Sequence, residues 1–78
     1  MDEEKQTELL AARGWRIADS RLNGDGRLVI LLEHEQHPSV AMFKPDVTEL
    51  ATGRATIEQI MERNKGADLA DPWPVPAE

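Results

Sequence analysis

The residue types best suited to binding a metal ion lie in one short segment, Glu33-His34-Glu35-Gln36-His37. Imidazole and carboxylate groups are common zinc ligands. A zinc motif on a helix needs histidines four residues apart, whereas His34 and His37 are three apart. In an extended strand they would point to opposite faces, although a turn at Gln36 would bring them closer. Metal binding by this pair is therefore an alternative to a solvated strand end.

The glycine-rich segment Asn23-Gly24-Asp25-Gly26 has the composition of an ion-binding loop. A phosphate loop feeds a helix N-terminus, where amide groups and the helix dipole converge on the anion. Here an apolar, strand-like run follows instead. A calcium loop aligned on the segment would place Arg21 and Leu32 where carboxylates are required. Asn-Gly and Asp-Gly pairs accept the positive φ angles of tight hairpins, so the segment is predicted to be a hairpin turn.

Groups for covalent or acid–base catalysis show no recognisable pattern. The chain has no cysteine, and Ser20 and Ser39 lie outside any nucleophile motif. Its carboxylates fall mostly at predicted helix ends and exposed faces, where they act as caps and solubilising charge. A domain of this size rarely encloses the pocket that a catalytic carboxylate pair needs. We therefore predict that the chain is not an enzyme and uses no cofactor.

Length and composition indicate one small folded domain. The chain has 78 residues, 40% of them hydrophobic, and a net charge of −6. Phosphate-backbone affinity requires clustered Lys and Arg, so direct nucleic-acid binding is not expected. No apolar stretch approaches the ~20 residues that span a bilayer, and the acidic N-terminus lacks the apolar core of a signal peptide. We expect a cytoplasmic protein with no membrane attachment.

The elements that must position these residues are predicted from periodicity and capping signals. The pattern gives an α+β fold with an N-terminal helix over 2–13 and an antiparallel three-stranded meander. Its strands cover 15–22, 27–35 and 39–44. A helix over 46–65 follows, and a capping-box pattern beginning at Thr56 favours a break near Gly53. One α-β-β-β-α domain is thus expected over 1–66, followed by an extended, acidic, Pro-rich tail over 67–78.

The second strand is predicted to be buried on both faces. Its apolar run places Leu28, Ile30 and Leu32 on one face and Val29 and Leu31 on the other. The two helices are expected to cover one face only. The face of Val29, Leu31 and Phe43 would then be exposed and available to a partner protein or to a second copy of the chain. The alternative is that only a few aliphatic side chains remain exposed there, which is common and indicates no interface.

Trp73 stands out in the predicted tail because it lies between prolines and follows Asp71. A proline-restricted segment loses little entropy on binding and Trp supplies a large contact area, so a docking motif is one interpretation. The other is that the tail folds back and Trp73 packs on the second sheet face. Trp15 is predicted to be a core residue.

The sequence thus favours a small acidic interaction module that regulates or inhibits a larger protein, of bacterial or mobile-element type. A homodimer through the sheet face is a further possibility. Two alternatives remain: a nucleic-acid-mimicking decoy and the metal site of His34 and His37. The decoy would use Asp2, Glu3, Glu4 and Glu8. The candidate protein-binding residues are Val29, Leu31, Phe43, Asp71 and Trp73.

Overall fold

A computed structural model describes residues 2–70 and Trp73, and it has the predicted α+β fold. The predicted break of the last helix at Gly53 is confirmed. None of the helices in the described part of the chain is long and apolar enough to cross a membrane. The elements are α1 (Glu3–Ala12), β1 (Trp15–Leu22), β2 (Leu28–His34), β3 (His37–Phe43), α2 (Lys44–Thr52) and α3 (Ile57–Arg63).

Local signals define both ends of α1. The Asp2 carboxylate accepts a hydrogen bond from the Lys5 amide at 2.7 Å, which satisfies one of the free N–H groups of the first turn. The chain leaves the helix through Gly14, whose φ of 86° is accessible to glycine at little cost. The helix buries Gln6 and Leu10.

Two tight turns connect the antiparallel sheet, whose strand order is β1-β2-β3. In the first turn, the Asn23 side-chain oxygen accepts hydrogen bonds from the amides of Asp25 and Arg27, each at 2.9 Å. The second turn contains only residues 35 and 36, so His34 pairs directly with His37. Strand β3 therefore begins two residues earlier than predicted. Pro38 is tolerated because β3 is an edge strand of this sheet.

Edge strand β1 is protected from pairing with another strand. Its register with β2 shifts between Ile17 and Asp19, which places a bulge at Ala18. The Ser20 amide donates a hydrogen bond to the Asp19 carboxylate at 2.8 Å. Bulges and charged side chains on an edge both discourage edge-to-edge association.

The face of the sheet under the helices, here called the helical face, carries the main core. Leu32, Met42, Val47 and Ile60 are fully buried there and Trp15 is 6% exposed, which confirms its predicted core position. The cluster joins all three strands to all three helices. Its buried members are Leu10, Trp15, Ile30, Leu32, Met42, Val47, Leu50, Ala51, Ala55 and Ile60.

The opposite face, here called the second face, is also covered. Val29 is 0% exposed, Phe43 7% and Leu31 9%. The expectation that these three side chains form an uncovered face is therefore wrong for the single chain. The Arg27 guanidinium lies 3.9 Å from the centre of the Phe43 ring, and the segment after α3 returns to this side of the sheet.

A buried carboxylate joins β3, α2 and α3. Asp46 is 5% exposed, and it accepts hydrogen bonds from the Phe43 amide at 3.3 Å, Asn64 Nδ2 at 2.9 Å and Arg63 Nη1 at 3.0 Å. Arg63 also bonds Glu49, and the bonds to Glu49 and Asp46 raise the pKa of Arg63. The short α3 is thus attached to the start of α2 by charge-assisted hydrogen bonds.

We expect Asp46→Asn to lower the free energy of unfolding by about 2 kcal/mol, because an acceptor oxygen becomes a donor facing other donors. Urea denaturation followed by circular dichroism measures the loss. The exposed Glu62→Gln on α3 serves as the matched control. Equal stability of the two variants would show that Asp46 is not a structural centre.

Candidate functional site

The two histidines and Trp15 form a compact cluster of rings at one end of the sheet, in which Trp15 also stacks on His37 at 5.6 Å. Each residue comes from a different strand, and the turn at 35–36 places His34 and His37 on the same side. The centre of the His34 ring lies 4.7 Å from the centre of the Trp15 ring and 4.7 Å from that of His37. His34 and His37 do not lie in one extended strand; the turn at Gln36, which the sequence left open, brings them together.

Both nitrogens of His34 are engaged in hydrogen bonds. Nδ1 accepts from the Gln36 amide at 2.9 Å, so in the neutral ring the proton is on Nε2, which donates to the Arg13 carbonyl at 3.0 Å. A metal ion needs a free lone pair on each ligand, and His34 offers none in this arrangement. Within residues 2–70 and Trp73, no group of three or more His, Cys, Asp or Glu side chains could hold a metal.

A shallow cleft beside His34 contains a hydroxyl and a carboxylate but no catalytic pair. Ser39 and Glu33 both line it. Nucleophilic catalysis requires a base within hydrogen-bond reach of the hydroxyl. No hydrogen bond joins Ser39 to His34 or His37 among the bonds of the described residues. His34 instead packs on Trp15, and its bond to the Arg13 carbonyl joins the end of α1 to the sheet.

A second arrangement, here called the arginine–aromatic surface, is formed by Arg21, Arg27, Phe43 and Trp73. The Arg21 guanidinium lies 4.8 Å from the centre of the Trp73 ring, and that of Arg27 lies 3.9 Å from the Phe43 ring. Cations over aromatic faces are attracted by the ring quadrupole. Pairing of Arg21 with Val29 and of Val29 with Phe43 places this surface on the second face, next to the first hairpin turn.

The segment after α3 is attached to that turn by Asp68. Asn23 Nδ2 donates to the Asp68 carbonyl at 3.0 Å, and the Gly24 amide donates to the Asp68 carboxylate at 2.9 Å. Further along, the Trp73 indole donates to the Leu69 carbonyl at 2.8 Å. Asp68 and Trp73 thus both contact the first hairpin, which favours the second of the two interpretations, whereas residues 71, 72 and 74–78 of the predicted tail lie outside the described part of the chain.

The five candidate binding residues have different environments. Val29 and Leu31 are buried in the second face, and Phe43 lies beneath Arg27. Trp73 is half-buried, so part of its indole faces solvent. Asp71 lies outside the described residues. Apart from Asp71, these residues lie on one face of the sheet. The sequence predicted an exposed apolar patch there, whereas in the structure the apolar side chains are buried and arginine and Trp lie at the surface.

Arg21 and Arg27 were not among the candidate binding residues predicted from the sequence. Both flank the predicted hairpin turn. A two-residue periodicity counted forward from Trp15 gives the wrong face for Arg21, because the bulge at Ala18 inverts the alternation. Counting outward from the turn gives the right face, since Arg21 then lies opposite Val29.

Two of the four acidic residues considered for nucleic-acid mimicry already bond other groups of the chain. Asp2 caps α1, and Glu3 lies 3.9 Å from Lys44 in an exposed ion pair. Glu4 and Glu8 remain on the exposed side of α1, one helical turn apart. Two neighbouring carboxylates make a short acidic ridge, much smaller than a row of phosphates.

Gly14→Ala should destabilise the fold more than Gly26→Ala. Both glycines have positive φ, 86° and 79°, so both substitutions carry a similar backbone penalty. A Cβ at Gly14 would lie 2.5 Å from His34 Nε2, whereas one at Gly26 meets nothing within 4 Å. We expect an extra loss of about 1 kcal/mol or more, because the His34 ring is held by two hydrogen bonds. Urea denaturation of both variants gives the difference, and equal losses would contradict the packing role of His34.

Asp68→Ala should release the segment that carries Trp73, since it removes the bond to the Gly24 amide. We expect stronger acrylamide quenching and a red-shifted emission from Trp73, against a constant background from the buried Trp15. Asp25→Ala removes an equal charge from the hairpin turn that Asp68 contacts, and it should leave the quenching and the emission wavelength unchanged. Unaltered quenching in Asp68→Ala would show that Asp68 does not hold the segment.

Comparison of the chain with protein-family models, with curated proteins and with solved structures finds no match.

Proposed function

We propose that the chain is a small protein-interaction module that binds a larger protein through the arginine–aromatic surface and thereby regulates or inhibits it. The observation that carries the proposal is the partly exposed Trp73, which stacks against the Arg21 guanidinium on the same face of the sheet as Phe43 and Arg27. Trp and Arg are the residues most enriched among interface hot spots. Their clustering here is notable because the chain contains only two Trp and one Phe.

The surface has the properties that favour association with a protein rather than a small ligand. Trp73 presents a large, rigid contact area, and its Nε1 is already bonded to Leu69, so binding leaves no indole donor unsatisfied. The Arg21 head lies on the indole and 3.8 Å from the Asp19 carboxylate, which limits the side-chain entropy lost on binding. Both features reduce the cost of forming an interface.

A binding role also agrees with the chemistry that the described residues offer. Both His34 nitrogens are engaged, and no hydrogen bond of the described residues joins the Ser39 hydroxyl to a histidine. The carboxylates with structural roles, such as Asp46 and Asp68, bond the chain's own amides and side chains. A chain with these features would influence a larger protein by occupying its surface.

The test is affinity capture from a lysate of the source cell with three forms of the chain: unaltered, Trp73→Ala and Met61→Ala. Met61 is the matched control because it is a large apolar side chain, 56% exposed, on α3. We expect one protein to be retained by the unaltered chain and by Met61→Ala, and to be lost at least tenfold with Trp73→Ala. A thermal melt of each form verifies folding.

Retention of the same proteins by all three forms would contradict the proposal, as would equal loss in both variants. Absence of any protein above the level of an unrelated acidic control would contradict it as well. A partner whose affinity for the purified chain collapses with salt, and falls equally with Glu4→Gln and Glu8→Gln, would favour the acidic-decoy alternative instead.

A further inference from the structure

The first hairpin turn contains the only Asn-Gly pair of the chain, Asn23-Gly24. The side-chain amide of an asparagine can react with the backbone nitrogen of the residue that follows it. That attack is easiest when the next residue is glycine, because glycine has no Cβ to hinder the approach. The other asparagine of the chain, Asn64, precedes a lysine. Asn23 is therefore the asparagine better suited to spontaneous deamidation.

This reaction needs only water as a second reactant. The Gly24 nitrogen loses its proton and attacks the side-chain carbonyl carbon of Asn23. A C–N bond forms, the bond from that carbon to Nδ2 breaks, and ammonia leaves. The resulting succinimide ring then adds one water at either of its two carbonyl carbons. Ring opening gives aspartate in one case and isoaspartate, whose main chain runs through the side-chain carbon, in the other.

Hydrogen bonds hold the reacting groups of the folded chain in place. The Asn23 side-chain oxygen accepts from the amides of Asp25 and Arg27 at 2.9 Å, and Nδ2 donates to the Asp68 carbonyl at 3.0 Å. The attacking group, the Gly24 amide, donates to the Asp68 carboxylate at 2.9 Å. Asn23 is only 8% exposed. Ring closure therefore proceeds from a locally opened turn in which these bonds are broken.

Asp68 controls this opening because it bonds both partners of the reaction, the Gly24 nitrogen and Asn23 Nδ2. Residues 67–70 around it form neither helix nor strand. Ala70 has a φ of 60°, in the left-handed region that residues with a Cβ rarely adopt, so detachment relieves backbone strain. Detaching this irregular segment therefore requires less free energy than unfolding the sheet.

The product of deamidation no longer matches the attached segment. A carboxylate at position 23 still accepts from the amides of Asp25 and Arg27, but it has no donor for the Asp68 carbonyl. It also places a second negative charge near the Asp68 carboxylate, which is unfavourable. The isoaspartate product in addition lengthens the main chain within a tight turn. Each change favours the detached state.

We propose that Asn23 is a deamidation site, that Asp68 protects it while residues 67–70 are attached to the turn, and that deamidation releases them. Because the loss of ammonia is not reversed, the modification is a one-way switch at the first hairpin. The proposal goes beyond the proposed function, since the reaction and the release are both properties of the isolated chain.

The test is peptide mapping by mass spectrometry during incubation of the purified full chain at neutral pH. Tryptic peptide 22–27 reports on Asn23, Asn64 is the internal reference, and an enzymatic methyl-transfer assay detects isoaspartate. We expect Asn23 to convert, with isoaspartate among the products, while Asn64 stays intact. Asp68→Ala should deamidate at Asn23 about tenfold faster, because it loses the charge-assisted hydrogen bond that holds the Gly24 amide.

Two matched variants separate the bond from the charge. Asp25→Ala removes an equal charge but not the bond to Gly24, and Asp68→Asn keeps an acceptor oxygen for the Gly24 amide. Both should deamidate at the rate of the unaltered chain. In concentrated urea the unaltered and Asp68→Ala chains should react at the same rate, because no attached segment protects the turn. Thermal melts verify folding of each form.

Asn23→Asp tests the release, because it supplies the aspartate product directly. We expect stronger acrylamide quenching of Trp73 than in the unaltered chain, against the background of the buried Trp15. Unchanged quenching would overturn the release step.

Equal rates in the folded unaltered and Asp68→Ala chains would overturn the protecting role of Asp68. Slower reaction of Asp68→Ala would overturn it as well, because the carboxylate would then act as a base for the Gly24 nitrogen. Equal acceleration by Asp25→Ala would assign the effect to charge alone and contradict the proposal. An Asn23 that reacts in urea but in no folded form would also overturn it. Capture that depends on Trp73 is independent of all these outcomes.

Discussion

The structure depends on one constraint, which is that the central strand β2 is apolar on both faces. Leu32 on the helical face and Val29 on the second face are both 0% exposed. The described helices α1, α2 and α3 meet in one core on the helical face, so the second face needs a different cover. The described contacts on that face are those of Arg27 with Phe43 and of Arg21 with Trp73, which belongs to the segment after α3. Because hydrophobic burial is the main driving force of folding, this segment and these arginines are part of the fold.

The arrangement of arginine follows from this constraint. Arg27 extends over Phe43 and keeps its charged head at the surface, as long cationic side chains do when they cover apolar groups. Arg21 likewise lies against the face of the Trp73 ring. A face that would otherwise be an exposed apolar patch thus becomes a surface of stacked arginine and aromatic groups. The features that complete the core are the same ones that suit a protein interface.

The two faces of the sheet have different surroundings at the first hairpin. Arg21 and Leu22 are consecutive residues of β1, and strand geometry directs one to the second face and the other to the helical face. The segment bearing Trp73 covers the first, and the helix layer ends before it covers the second. The hairpin is therefore the part of the chain at which the cover is least complete. The opposite end of the sheet is closed by Trp15, His34 and His37.

The sequence by itself determined the elements, because their signals are local. Asp2 caps α1, Asn23 and the positive-φ Gly26 shape the first hairpin turn, and Thr56 with Gln59 forms the capping box that starts α3. It also determined that β2 is buried on both faces, since an uninterrupted apolar run is visible in one strand. Tertiary structure alone decided that the segment after α3 returns to the first hairpin, because Asp68 and the Asn23 turn it contacts are 45 residues apart. It also decided on which face Arg21 lies, since the bulge at Ala18 inverts the alternation and arises only when β1 pairs with β2.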